Sequence, residues 1–132
     1  MGKEESVSAV DEANMRVYRE ILPNSFLLIL TGSGESVMAP LLITDALETA
    51  CCSGKTSIWI DCSQVSQLSA GLLSLLEHYT VQLLRLGITL VVCHPPDSLV
   101  AARPEVELLL APSLLDAELQ CRSAAMLHRS AA

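Results

Sequence analysis

Aromatic residues are scarce in this chain: one Trp, one Phe and two Tyr among 132 residues. Any core must therefore be built from Leu, Val, Ile and Ala. Basic residues are few as well. Eight Lys and Arg stand against 15 Asp and Glu, a formal net charge of −7, and the pI is near 4.8. That balance excludes nucleic acid as the main partner, because phosphate binding needs a basic face. No apolar run approaches the roughly 20 residues of a spanning helix. The longest clusters, Leu27 to Leu30 and Ile88 to Cys93, have strand length, so no direct membrane insertion is expected. Residues 1–14 are polar and mostly acidic. They lack the apolar stretch of a signal peptide, which predicts a cytoplasmic protein.

What is present is aliphatic. Half of the residues (51%) are hydrophobic and the mean hydropathy is +0.44, which excludes an intrinsically disordered chain. At this length one domain is expected, with a core large enough to need neither metal nor disulfide. The five cysteines, Cys51, Cys52, Cys62, Cys93 and Cys121, are odd in number and show no paired spacing. Neither a disulfide framework nor a zinc knuckle follows. Cys62 and Cys93 end predicted strands, where a thiol packs as a small hydrophobe. The adjacent Cys51-Cys52 pair lacks the two intervening residues of a thioredoxin-like site.

The pattern predicts a first strand over Met15 to Glu20, a Pro23-Asn24 turn, and a second strand over Ser25 to Thr31. Gly32-Ser33-Gly34 closes that hairpin. A helix follows from Val37 to about Cys51, with Pro40 tolerable in its first turn and Ser53-Gly54 at its end. Ser57 to Cys62 is a strand. Leu72, Leu76, Tyr79, Leu83 and Leu86 then fall on one face of a helix over 69–86, stopped by Gly87. Ile88 to Cys93 is an uninterrupted apolar strand, as in a parallel sheet covered on both faces. Beyond Pro95-Pro96, Leu99 to Leu110 reads as helical around Pro104. Leu114 to Cys121 fits either strand or helix, and Ser123 to His128 a short last helix.

Enzymatic equipment is absent from the pattern. His78, His94 and His128 have no nucleophile partner at a recognisable spacing. His78 beside Glu77 reads as a solvated surface pair. His94 ends a strand, the position where α/β folds place ligands. Gly32-Ser33-Gly34 lacks the third glycine of a dinucleotide fingerprint and the lysine of a P-loop, so it reads as a turn. The informative stretch is Gln67-Leu68-Ser69-Ala70-Gly71-Leu72. Ser69 stands at the N-cap of the long helix, where backbone N–H groups lack partners and an anion is favoured. Gly71 costs that helix about 1 kcal/mol relative to alanine. Either close approach of another molecule or tight packing of helix on sheet accounts for it.

The run from Ile58 through Asp61, Val65, Ser69, Gly71 and Leu72, followed by the leucine helix, Leu86-Gly87 and Ile88 to Cys93, resembles the STAS domain family (sulfate transporter and anti-sigma factor antagonist). The family pattern is strand, Asp-Leu-Ser-x-Val, a loop ending Asp-Ser-Ser-Gly-Leu, helix, glycine, apolar strand. Asp61 and Val65 match the strand end; Ser69, Gly71 and Leu72 match the loop and helix start. Leu28 to Glu35 resembles the family's strand ending in Gly-x-Leu-Asp, with Gly32 at the glycine and Glu35 where the acid falls. The resemblance spans most of residues 15–110. Two positions depart from it: Leu68 stands for the family's aspartate and Ala70 for its second serine.

The resemblance implies an α/β fold, a single STAS-like domain with a small mixed β-sheet and helices packed against it. Residues 14–122 would form the domain, 1–13 a flexible tail, and 123–132 a C-terminal helix or tail. The implied function is a regulatory protein-interaction module of the anti-sigma factor antagonist type, not an enzyme. Its partner would be an anti-sigma factor that is also a serine kinase, or a related regulatory protein. In such a switch the unphosphorylated form binds the kinase and releases the sigma factor, and the phosphorylated form cannot. Ser69 would be the phosphoacceptor, and Glu35, Leu68, Ser69, Ala70, Gly71 and Leu72 the partner-binding residues. No cofactor, metal or catalytic residue is implied, and a homodimer is left open. Two other readings stand beside it. One is a phosphorylation-independent STAS scaffold or transporter-associated subunit, which the loss of the acid and second serine favours. The other is a small thiol or ligand-processing enzyme built on Cys93 and His94.

Overall fold

Between turn residues suited to their positions, the aliphatic runs pair into one sheet. The structure, a computed structural model, describes residues 15–65, 67–97, 99 and 108–121. Strands β1 (Arg16–Ile21) and β2 (Ser25–Thr31) form a hairpin. They pair antiparallel from Arg16 opposite Thr31 to Ile21 opposite Phe26. Pro23-Asn24 makes the turn, and the Leu22 N–H donates to the Ser25 carbonyl at 2.9 Å. Helix α1 (Ala39–Cys51) carries Pro40 in its first turn, where the missing N–H costs nothing. Gly54, at φ +82°, turns the chain after it.

Strand β3 (Ser57–Gln64), helix α2 (Ala70–Arg85) and strand β4 (Thr89–Cys93) form the expected βαβ unit. Gly87, at φ +78°, ends α2 in the left-handed conformation that favours glycine. A short strand, β5 (Leu109–Ala111), pairs with β4, and residues 114–121 form a helix, α3. The sheet order is β1-β2-β3-β4-β5, antiparallel at β1 and parallel elsewhere. The α/β fold with a mixed sheet is thus as the sequence predicts.

Both crossover helices lie on the same face. Ile43, Ala46, Leu47 and Ala50 of α1 and Leu72, Leu76 and Leu83 of α2 join Leu28, Leu30, Ile58, Ile60, Leu90 and Val92 in the main core. On the other face Leu27, Trp59, Val91, Cys93 and Ala111 pack with Ala117 of α3. The central strands are thus buried on both sides, which explains their unbroken apolar runs. At their start, the buried Ser25 and Ser57 hydroxyls satisfy each other at 2.8 Å. Trp59 fills the second face with its indole, whose N–H meets no partner among the described residues.

Two expectations need correcting, and one open choice is settled. Leu86 is not part of the buried face: it is the C-cap of α2, at 69% exposure, because the helix ends before its side chain turns inward. Leu109 and Leu110 are strand, not helix, since the outer edge of β4 offers hydrogen bonds that a short apolar run satisfies by pairing. The choice left open over 114–121 falls to helix. Ser113 caps it, accepting from the Asp116 N–H at 3.2 Å while donating to the Asp116 carboxylate at 2.7 Å. The Ser-x-x-Asp spacing is a capping-box signal that the sequence carries. The tail at 1–13, Pro104 and the proposed last helix at Ser123 to His128 lie outside the described residues.

Leu28 is fully buried at the centre of the main core. Leu28→Ala should cost about 2–5 kcal/mol of stability, read as a lower urea midpoint with an unchanged denaturant slope.

Candidate functional site

Parallel pairing brings the C-terminal ends of β2, β3 and β4 to one edge of the sheet, where open α/β sheets place their sites. The β2–β3 ladder is irregular there: Ile29 faces Asp61, but Thr31 faces Gln64, so β3 carries one extra residue. Asp61 then turns the chain by accepting the Ser63 N–H at 2.9 Å. The loops leaving β2 and β3 meet beyond that point. Gly34 forms an isolated parallel bridge with Leu68, and the Ser69 N–H donates to the Gly34 carbonyl at 3.3 Å.

The contact is close enough to need glycine. A Cβ on Gly34 would stand 1.9 Å from the Gln67 carbonyl oxygen and 3.1 Å from Val65 Cγ1. The sequence pattern marked Gly32-Ser33-Gly34 only as a turn. Gly32, at φ +92°, does turn the chain, but Gly34 is the residue that lets the two loops touch. Glu35 follows it directly, exposed, in a turn where its N–H donates to Ser33 Oγ at 3.2 Å.

Ser69 is the N-cap of α2, as predicted. Its backbone is extended (φ −67°, ψ 160°) and its Oγ accepts the Leu72 N–H at 3.2 Å. The first turn of α2 holds no acidic residue, so no side-chain carboxylate there offsets the positive end of the helix dipole. Ala70 and Gly71 are exposed. A Cβ on Gly71 would meet only Ser69 Oγ, at 3.9 Å. Tight packing of helix on sheet therefore does not explain this glycine. Leu68 is half-buried against the core, and Leu72 is fully buried, anchoring the first turn. Of the six proposed contact residues, Glu35, Ser69, Ala70 and Gly71 thus face outward in whole or part. Val37 and Met38, just before α1, and Leu41 in its first turn are exposed apolar side chains on the segment that follows Glu35; the sequence pattern placed Met38 and Leu41 only on the apolar spacing of the helix.

The chemistry of the Cys93–His94 pair is quiet. Cys93 and Cys62 are fully buried, and burial pushes both thiols up to about 12, with the Asp61 carboxylate adding to the effect. A thiol held protonated is a poor nucleophile. His94 is half-buried at φ +50°, its N–H bound to the Ala111 carbonyl at 2.9 Å; it joins β4 to β5. His78 is exposed and meets Tyr79 edge-on at 5.6 Å. Among the described residues no cluster of His, Cys, Asp or Glu is arranged to hold a metal, and no helix is long and apolar enough to cross a membrane.

No family model and no curated protein matches the chain. Solved structures do. The NMR structure of the protein TM1081 superposes with a TM-score of 0.66 at 13% identity, covering 79% of this chain and 86% of that one. The anti-sigma factor antagonist SpoIIAA in its unphosphorylated form gives 0.65 at 13% identity, over 82% of this chain and 98% of that one. An anti-sigma factor antagonist from Mycobacterium paratuberculosis gives 0.65 at 21%, over 83% and 96%. The chain has the fold of the anti-sigma factor antagonists, which is the STAS fold the sequence resembles.

Two outcomes follow. Gly34→Ala should lower stability by about 1–3 kcal/mol and move the amide resonances of Gln67 to Ser69, because the added methyl drives the Gln67 carbonyl away. Cys62 and Cys93 should resist a thiol reagent in the folded protein near pH 8 and react once it is denatured. Their raised values keep them protonated in the native state after the unfolded thiols have ionised. Thermal stability should therefore hold up to about pH 9 and fall as pH rises towards about 12.

Proposed function

We propose that this chain is a regulatory protein-interaction module of the anti-sigma factor antagonist type, with Ser69 as its switchable residue. The observation that carries the reading is Ser69 itself. It stands at the N-cap of α2, followed by exposed Ala70 and Gly71 and by a first turn free of carboxylates. The partner is an anti-sigma factor with serine kinase activity, or a related regulatory protein, and the module does no catalysis of its own. The structural likeness to two anti-sigma factor antagonists supports that choice. A phosphate on Ser69 adds about −1.5 to −2 charges at a helix end that tolerates an anion. The modification therefore need not unfold the loop; it changes the charge that a partner meets between Glu35 and Gly71.

A phosphorylation-independent scaffold or transporter-associated subunit is the second reading, and a specific observation favours it. Val37, Met38 and Leu41 add exposed apolar surface next to Glu35, and Leu68 and Ala70 replace polar residues of the family pattern. A constitutive, largely apolar contact would use that surface whether or not Ser69 carries a phosphate.

Affinity capture from host lysate with wild type, Ser69→Asp and Gly71→Ala separates the two. Aspartate is as good an N-cap as serine, so Ser69→Asp changes charge while keeping the helix end. In the switching reading a kinase-type ATPase is captured by wild type and lost with Ser69→Asp, and intact mass shows a single phosphate that Ser69→Ala abolishes. Gly71→Ala should stabilise the fold by up to about 1 kcal/mol yet weaken capture, because its methyl occupies the path of approach. Equal capture by wild type and Ser69→Asp, with no phosphate under any condition, would overturn the switch and leave the scaffold.

A further inference from the structure

Among the described residues, strand β1 is an open edge. It ends the sheet order, and no described strand lies beyond it. Natural edges are blunted by charged side chains, proline, bulges or extreme shortness, and β1 carries only the first of these, in Arg16, Arg19 and Glu20. β1 is six residues long (RVYREI) and pairs with β2 without a register shift. It also leaves Tyr18 at 51% and Ile21 at 68% exposure. The hairpin bond between Leu22 and Ser25 fixes the phase of the ladder. Glu20, Tyr18 and Arg16 then exchange hydrogen bonds with β2, so the N–H and C=O groups of Val17, Arg19 and Ile21 point outward.

The sequence of this edge is complementary to itself. Arg16, Tyr18 and Glu20 alternate onto one face; Val17 packs toward the main core and Arg19 reaches Asp45 of α1 at 3.1 Å on the other. An antiparallel copy centred on Tyr18 sets Val17 opposite Arg19 of the second molecule, the register that uses the outward backbone groups. Tyr18 then meets its own copy in a non-hydrogen-bonded pair, where side chains approach most closely. Arg16 faces Glu20 of the second copy, and the symmetry makes that pair twice. Within an acidic molecule of net charge −7, this strand carries two arginines and one glutamate, so pairing two copies along it brings no excess negative charge together.

We infer that the protein forms a twofold-symmetric dimer by antiparallel pairing of β1 with β1 of a second copy, joining the two five-stranded sheets into one. The arrangement is independent of the Ser69 reading. It leaves the loops beyond β2 and β3 free, so each dimer presents two sites, and Ser69→Asp should dimerise as wild type does.

Sedimentation equilibrium of the full chain at increasing concentration tests this. Wild type should approach twice the 14.1 kDa chain mass. Arg16→Glu and Glu20→Arg each set like charges opposite one another twice, and each should weaken dimerisation at least about tenfold. The double variant Arg16→Glu/Glu20→Arg restores opposite charges in the same register and should recover the wild-type constant, which also shows that the strand still folds. Tyr18→Lys, placing two ammonium groups on the symmetry axis, should weaken it likewise. A wild type that stays monomeric, or a dimer indifferent to these charges, or single-variant losses that the double variant does not recover, would overturn the inference.

Discussion

Everything in this molecule hangs on β3 being buried from both sides. Ile58, Ile60 and Cys62 enter the main core while Trp59 fills the opposite face, so the strand can neither slip by one residue nor reach an edge. A slip would exchange an indole for two isoleucines and a thiol and empty both layers at once. With β3 fixed, β2 and β4 must pair parallel to it, and the helices between them must cross one face of the sheet. The parallel ends then arrive together at the edge where Ser69 sits.

The site is a consequence of that convergence. Two loops from neighbouring parallel strands come so close at Gly34 and Gln67 that a methyl group does not fit between them. Their contact fixes the backbone before Ser69, and the N-cap fixes the backbone after it. A hydroxyl held from both sides at the positive end of a helix is suited to being recognised, or to carrying a charge. Cys62 and Cys93 are buried and held protonated, and the His94 backbone joins β4 to β5.

The fold separates this surface from the rest of the molecule. α2 and its serine stand beyond β3, whereas the open edge at β1 lies two strands away. Val37, Met38 and Leu41 add exposed apolar area beside Glu35.

The sequence by itself determined the order of the elements, the hairpin at Pro23-Asn24, the buried face of α2 as far as Leu83, the stop at Gly87 and the cap at Ser69. These depend on residues within a few positions of one another, through periodicity, capping and turn chemistry, and they survive in any packing. It resolved the C-terminal part less well. Leu109 to Ala111 is a short apolar run whose pairing depends on a vacant edge at β4, although Ser113 and Asp116 did carry a cap signal for the helix after it. Only the tertiary structure decided that Gly34, not Gly71, is the glycine without room for a side chain, that Leu86 points to solvent, and that two thiols are pushed out of reach of ionisation. Each of these is set by what the folded chain brings against the residue: Gly34 and Gln67 are 33 positions apart in sequence, and only parallel pairing through a crossover helix makes them neighbours.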